Sequence, residues 1–70
     1  MIINQIKEVI QRKGQSYIRP TDFQLAKLEC SIKMWNKFFN KKSDPELYQV
    51  PMIASFLNCS IVDLFPVNDN

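Results

Sequence analysis

The residues of this 70-residue chain that could do chemistry are amines and amides near its centre. Lys33, Asn36 and Lys37 recur at three- and four-residue spacing, which brings their side chains to one side of a helix. Lysine donates hydrogen bonds to guanine O6 and N7, whereas asparagine both donates to and accepts from the adenine edge. Lys41 and Lys42 come just beyond this predicted helix and are placed for contact with phosphates. This set of side chains is typical of a surface that binds nucleic acid.

Simpler interpretations of the same segment stay open. The two lysines and the asparagine could be ordinary solvated side chains of a surface helix. Trp35, Phe38 and Phe39 could stack on bases, as aromatic residues do in proteins that bind single strands. The helical spacing of Trp35 and Phe38 favours core packing instead, whereas both interpretations stay open for Phe39.

The residue inventory argues against catalysis and metal binding. The chain has no histidine, and its two cysteines, Cys30 and Cys59, belong to no CxxC pattern. A disulfide between them is one alternative, but two reduced and partly buried thiols are favoured, because nothing marks the chain as secreted. No pair of acids, activated nucleophile or phosphate-binding glycine loop can be assembled. We therefore expect no enzyme activity, no metal, no cofactor and no small-molecule ligand.

Charge is distributed unevenly along the chain. Residues 1–42 contain all nine basic residues and three acidic ones, a balance of +6, whereas residues 43–70 contain four acidic residues and no basic one. A polyanion would be attracted by the first part and repelled by the second, although the asymmetry could also be chance. No apolar run approaches the ~20 residues of a membrane span, and the N-terminus lacks the features of a signal peptide. We expect a soluble, cytoplasmic protein with no membrane partner.

Short helices are predicted to position these side chains, since a single glycine argues against a sheet of tight hairpins. The predicted helices run over 2–13, from Thr21 to Leu28, over 32–40, from about Pro45 to Asn58, and over a short segment after Ser60. They form an all-α compact bundle of four to five helices. The bundle spans residues 1–66 as one domain, and residues 67–70 form a frayed tail.

The pattern also predicts details inside these elements. The core is centred on Trp35, Phe38, Leu57 and Phe65, and Met34 belongs to the apolar side of the third helix. In the loop before Pro20, Tyr17 and Ile18 are expected to insert into the core. In the fourth helix Leu47 is expected to point inward, and Pro51 to kink or split the helix.

Two segments carry a resemblance to a known family. The run Phe38-Phe39-Asn40-Lys41-Lys42-Ser43-Asp44-Pro45 is similar to the stretch after the recognition helix in phage-repressor and Cro-like helix-turn-helix proteins, usually an apolar residue, Asn-Gly-Lys and a proline. The run from Ile53 to Phe65 resembles the closing segment of that family more closely. The resemblance covers Leu25 to Phe65 and implies a lambda-repressor-like domain whose third helix reads DNA, often as a dimer on a palindromic site. The chain departs from the family pattern at two positions. Glu29 stands where the family has the glycine of the turn, and Leu25 stands where the second helix of the family has a small residue, usually alanine.

The resemblance also implies the residues of the site. By position, the base-reading residues are Ser31, Ile32, Lys33, Asn36 and Lys37. The phosphate-contacting residues are Thr21, Asn40, Lys41 and Lys42, with Arg19 as a further candidate.

We therefore expect a repressor-like transcriptional regulator that binds double-stranded DNA in a sequence-specific manner, with a homodimer as a possible assembly. The alternative is a protein-interaction module, or an antitoxin-like partner, on the same fold with weakened DNA binding. Asp22, Glu29 and the acidic tail favour that alternative.

Overall fold

Helices account for all the regular structure in the part of the chain that the computed structural model describes, residues 3–66. In order they are α1 (Ile6–Arg12), α2 (Asp22–Leu28), α3 (Ile32–Phe39), α4 (Gln49–Leu57) and α5 (Ile61–Leu64). No strand occurs within residues 3–66, and the predicted all-α bundle is confirmed. The predicted frayed tail, 67–70, lies outside the described residues.

The predicted caps are confirmed at three helix starts. Thr21 and Gln24 form a capping box before α2, with reciprocal bonds of 3.1 and 2.8 Å. Ser31 Oγ accepts from a backbone N–H of the first turn of α3 at 3.1 Å. Ser60 and Asp63 form a second capping box at α5, and the hydrogen bonds from Ser60 lower the pKa of the Asp63 carboxyl. Each cap satisfies amides that have no partner inside their own helix.

Helix α1 begins at Ile6 instead of Ile2, because Asn4 and Asp44 hold the backbone before it. Asn4 is fully buried; its Oδ1 accepts from the Ile6 N–H at 3.2 Å, and its Nδ2 donates to Asp44 Oδ1 at 2.8 Å. Asp44 also accepts from the backbone N–H groups of Ile3 and Asn4. Partial burial pushes the pKa of Asp44 upward, but these hydrogen bonds outweigh burial and hold the pKa below its ordinary value.

Helix α4 begins at Gln49, so the prediction of a helix from Pro45 is wrong. Because the Asp44 carboxylate binds the backbone near the N-terminus, it does not cap a helix; residues 43–46 are irregular, and residues 47–48 form a turn before α4. Leu47 is therefore 89% exposed instead of pointing inward. Pro51 falls in the first turn of α4, where its missing N–H would have had no helical partner, and the helix continues through it unbroken.

Gln49 joins the start of α4 to the end of α2. Its side chain is buried, and its Nε2 donates to the carbonyls of Leu28 at 3.2 Å and Glu29 at 3.1 Å. Its Oε1 accepts from the Glu46 N–H at 2.9 Å. One side chain thus satisfies backbone groups on both sides of the connection, which fixes α4 against the turn that precedes α3.

The core lies where α1 packs against α3 and α5, and where α4 packs against α2 and α5. Its buried apolar side chains are Ile6, Val9, Ile10, Leu25, Leu28, Trp35, Phe38, Phe39, Val50, Ile53, Ala54, Leu57 and Leu64. The predicted centre is confirmed for Trp35, Phe38 and Leu57. Phe65 is only partly buried, and its neighbour Leu64 is fully buried instead.

Candidate nucleic-acid interface

Helices α2 and α3 are joined by only three residues, 29–31, in a tight left-handed turn. Glu29 has φ 54° and ψ 43°, and its N–H donates to the Ala26 carbonyl at 3.2 Å. The Cys30 N–H donates to the Leu25 carbonyl, also at 3.2 Å. This pair of bonds is the Schellman arrangement, in which the left-handed position usually belongs to glycine. The residue at the expected turn-glycine position therefore has the backbone conformation that glycine favours.

The aromatic side of α3 faces the core. Trp35 is fully buried, its Nε1 donates to the Ile18 carbonyl at 2.9 Å, and its ring meets Phe56 edge-on at 5.7 Å. Phe38 and Phe39 are also buried. These rings are core residues, so the base-stacking interpretation does not fit the fold.

The opposite side of α3 is open and basic. Lys33 and Lys37 are exposed, and the helical repeat directs them within about 40° of each other. Asn36 lies about 60° from Lys33, on a flank of the helix where it is half-buried. Met34 lies on the other flank and is 37% exposed, so its predicted place on the apolar side is wrong. Ile32 is partly buried against the core, and Ser31 is exposed at the helix start.

The loop between α1 and α2 lies against the Asn36 flank of α3. The Tyr17 hydroxyl donates to Asn36 Oδ1, and the Tyr17 ring meets Phe39 edge-on at 5.0 Å. Tyr17 is 38% exposed, so its predicted insertion into the core is wrong, whereas Ile18 is packed against the core. Sequence patterns missed this role of Tyr17; the only available signal was that a tyrosine hydroxyl usually finds a hydrogen-bond partner.

Lys41 is placed differently from the other predicted phosphate residues. It has φ 60°, and its Nζ lies 2.8 Å from Glu8 Oε2 and donates to the Asn4 carbonyl at 2.9 Å. Partial burial pushes the pKa of Glu8 upward, but the hydrogen bond and charge of Lys41 outweigh burial and lower it. The Lys41 ammonium thus links α1 to the segment after α3 and is not directed to solvent with Lys42.

The remaining predicted phosphate residues are exposed. Thr21 uses its hydroxyl oxygen as the N-cap of α2, and Asn40 is the C-cap of α3, followed two positions later by Lys42. Arg19 donates to the Pro20 carbonyl at 2.7 Å and lies 3.7 Å from a carboxylate oxygen of Asp22. Asp22 therefore offsets part of the charge of Arg19 beside the start of α2.

The two cysteines occupy equivalent positions in two helix ends. Cys30 follows the left-handed residue Glu29, and Cys59 follows the left-handed residue Asn58 at the end of α4. The N–H of each donates five positions back, to the carbonyls of Leu25 and Ala54. Both thiols are free and packed against the core, and burial raises the pKa of each. The prediction of two partly buried, unbridged cysteines is confirmed.

Residues 3–66 contain no group of three or more His, Cys, Asp or Glu side chains arranged to hold a metal ion. Among the helices of that range, none has the length and apolar character needed to cross a membrane. No protein-family model matches the chain, and no curated protein matches it either.

Proposed function

We propose that this protein is a repressor-like transcriptional regulator that binds double-stranded DNA sequence-specifically and catalyses no reaction, with α2 and α3 as a helix-turn-helix. The observation that carries the proposal is the division of α3 into a buried aromatic side and an open side bearing Lys33 and Lys37. Such a helix fits the major groove, where ammonium groups reach guanine N7 and O6. The three-residue connection to α2 supports the same interpretation, because a helix-turn-helix joins its two helices by a turn of three to four residues.

The charges around α3 support a phosphate-binding rim. Lys42 follows the helix, and Arg19 and Thr21 lie at the start of α2, so these exposed side chains flank the reading helix along the chain. Lys41 is left out of this rim because it is paired with Glu8. Binding driven by such contacts weakens as salt rises, because counterions condensed on DNA are released on binding.

Duplex binding as a function of salt tests the proposal. Fluorescence anisotropy with a labelled random duplex, from about 50 to 200 mM salt, should show affinity falling linearly on a log–log plot. Lys42→Gln should reduce the slope by about 1, because one phosphate contact is lost. Lys13→Gln is the matched control: it removes an exposed lysine from the end of α1, and it should change the slope less. A protein that binds no duplex at the lowest salt refutes the proposal.

A second candidate is a protein-interaction module on the same fold, as in an antitoxin-like partner. It is favoured by exposed apolar side chains in the turn before α4 and on α5, namely Leu47, Ile61 and Val62. In the DNA-binding proposal this surface joins two copies in a homodimer. Sedimentation velocity, with and without duplex, separates the DNA-binding proposal from the interaction-module candidate. A dimer that Val62→Lys dissociates supports the DNA-binding proposal. A monomer that binds no duplex favours the interaction module.

A further inference from the structure

Asn36 is the only side chain of α3 with a strong hydrogen-bond acceptor. The helix reads Ile-Lys-Met-Trp-Asn-Lys-Phe-Phe, and its other two polar side chains, Lys33 and Lys37, are ammonium groups that only donate. Any acceptor that a side chain of this helix presents to a base edge must therefore be Asn36 Oδ1.

Tyr17 already binds that oxygen. Its hydroxyl donates to Asn36 Oδ1, and its ring is held edge-on against Phe39 with the ring centres 5.0 Å apart. The backbone of the next residue is also fixed, because the Ile18 carbonyl accepts from the buried Trp35 Nε1 at 2.9 Å. Two separate contacts with α3 thus hold the tyrosine where its hydroxyl meets Asn36.

We infer that Tyr17 is a specificity-determining positioning residue, which engages the one strong side-chain acceptor of α3 and biases the helix toward guanine over adenine. The inference rests on the proposed DNA-binding function and adds the class of base. Guanine presents two acceptors in the major groove, N7 and O6, whereas adenine presents one acceptor and one donor. The Tyr17 hydroxyl takes one of the two lone pairs of Asn36 Oδ1 and fixes the carboxamide, so the free end of Asn36 is the donor Nδ2, which matches the ammonium groups of Lys33 and Lys37. The adenine amino group then has to share Oδ1 with the Tyr17 hydroxyl, and an amino group buried without a well-placed acceptor weakens binding.

Selection of bound duplexes from a random pool tests the inference with three proteins. Tyr17→Phe removes the hydroxyl and keeps the ring that contacts Phe39. Tyr48→Phe is the matched control, because it removes the hydroxyl of an exposed tyrosine immediately before α4. The original chain and Tyr48→Phe should both enrich sites with guanine at the positions that α3 reads. Tyr17→Phe should gain adenine at one of these positions, by about fivefold or more, because Asn36 can then pair with adenine through both of its ends.

Two results of the selection overturn the inference. One is a Tyr17→Phe site identical to that of the original chain. The other is an original site that already contains adenine and loses its preference in Tyr17→Phe, because Tyr17 would then orient Asn36 for adenine instead of withholding its oxygen.

A measurement without DNA separates this inference from the proposed function. The side-chain carboxamide signals of Asn36, observed by ¹⁵N–¹H NMR, should move in Tyr17→Phe and stay in place in Tyr48→Phe. The backbone spectrum of each variant shows whether it is folded. Unmoved Asn36 signals in a folded Tyr17→Phe protein overturn the inference directly. If the signals move but no protein binds any duplex, the proposed function has failed, and the base preference fails with it.

Discussion

Replacing Glu29 by glycine should stabilise the protein. Glu29 lies in the left-handed region at φ 54°, at the end of α2. Its side chain is exposed, and within residues 3–66 no hydrogen bond or ion pair of that side chain is found. The backbone contacts of residue 29, from its N–H to Ala26 and from Gln49 to its carbonyl, need no side chain. Glu29→Gly therefore removes strain without removing a contact.

The magnitude follows from two opposing terms. A left-handed conformation costs a residue other than glycine about 1–2 kcal/mol. Glycine gives back part of that gain, about 0.5–1 kcal/mol, because its unfolded chain has more conformational freedom. The net expectation is a gain of about 0.5–1 kcal/mol in the free energy of unfolding, which raises Tm by about 2–8 °C in a domain of this size.

Thermal and urea unfolding followed by circular dichroism measure this gain, and two variants control for other causes. Glu29→Ala removes the carboxylate but keeps the strained backbone, so it should stay close to the original stability. Asn58→Gly relieves the equivalent position at the end of α4, where φ is also 54°. Its gain should be smaller, because asparagine tolerates the left-handed region better than glutamate does. If Glu29→Gly is no more stable than Glu29→Ala, backbone strain at this turn is not the cause.

Three further predictions concern a buried hydrogen bond, the dependence of stability on pH, and the reactivity of the two thiols. Gln49→Leu should lower the free energy of unfolding by about 1–3 kcal/mol in urea titrations, because it leaves two carbonyls at the end of α2 without their donor; an unchanged midpoint contradicts this. Because the folded pKa of both Asp44 and Glu8 is lowered, their stabilisation should be full above their ordinary values of 3.8 and 4.5 and lost as pH falls through the folded values. Asp44→Asn should flatten that acid decline, and an equally steep decline counts against the assignment. The thiols of Cys30 and Cys59 should react with a thiol reagent more slowly in the folded protein than in urea, because burial raises their pKa; equal rates would rule this out.

Features set by neighbouring residues could be predicted from the sequence. The caps at Thr21, Ser31 and Ser60 each depend on a side chain and an amide three positions later, so the local pattern was sufficient. The buried side of α3 was equally accessible, since helical periodicity alone places Trp35 and Phe38 together. These local signals also led to the open, basic side of the same helix.

Features set by distant residues could not be predicted. The segment at Asp44 and Pro45 has the local signature of a helix start, but the carboxylate binds backbone and side-chain groups about 40 positions away. Because of that contact, both α1 and α4 begin later in the sequence than the local pattern predicts. Lys41 was assigned to phosphate by its neighbours in sequence, and its pairing with Glu8 depends on how α1 docks. The contact between Tyr17 and Asn36 likewise spans 19 positions, and no periodicity reports it.

The bonds between Asn4 and Asp44 have a consequence for the order in which the chain assembles. Their formation closes a loop of 40 positions, and the entropy lost in closing a loop grows with its length. The turn at Glu29 closes within six residues, and the link from Gln49 to Leu28 spans 21. The segment from α2 to α4 can therefore collapse around Trp35 first, and the amino-terminal helix then docks onto a surface that already exists.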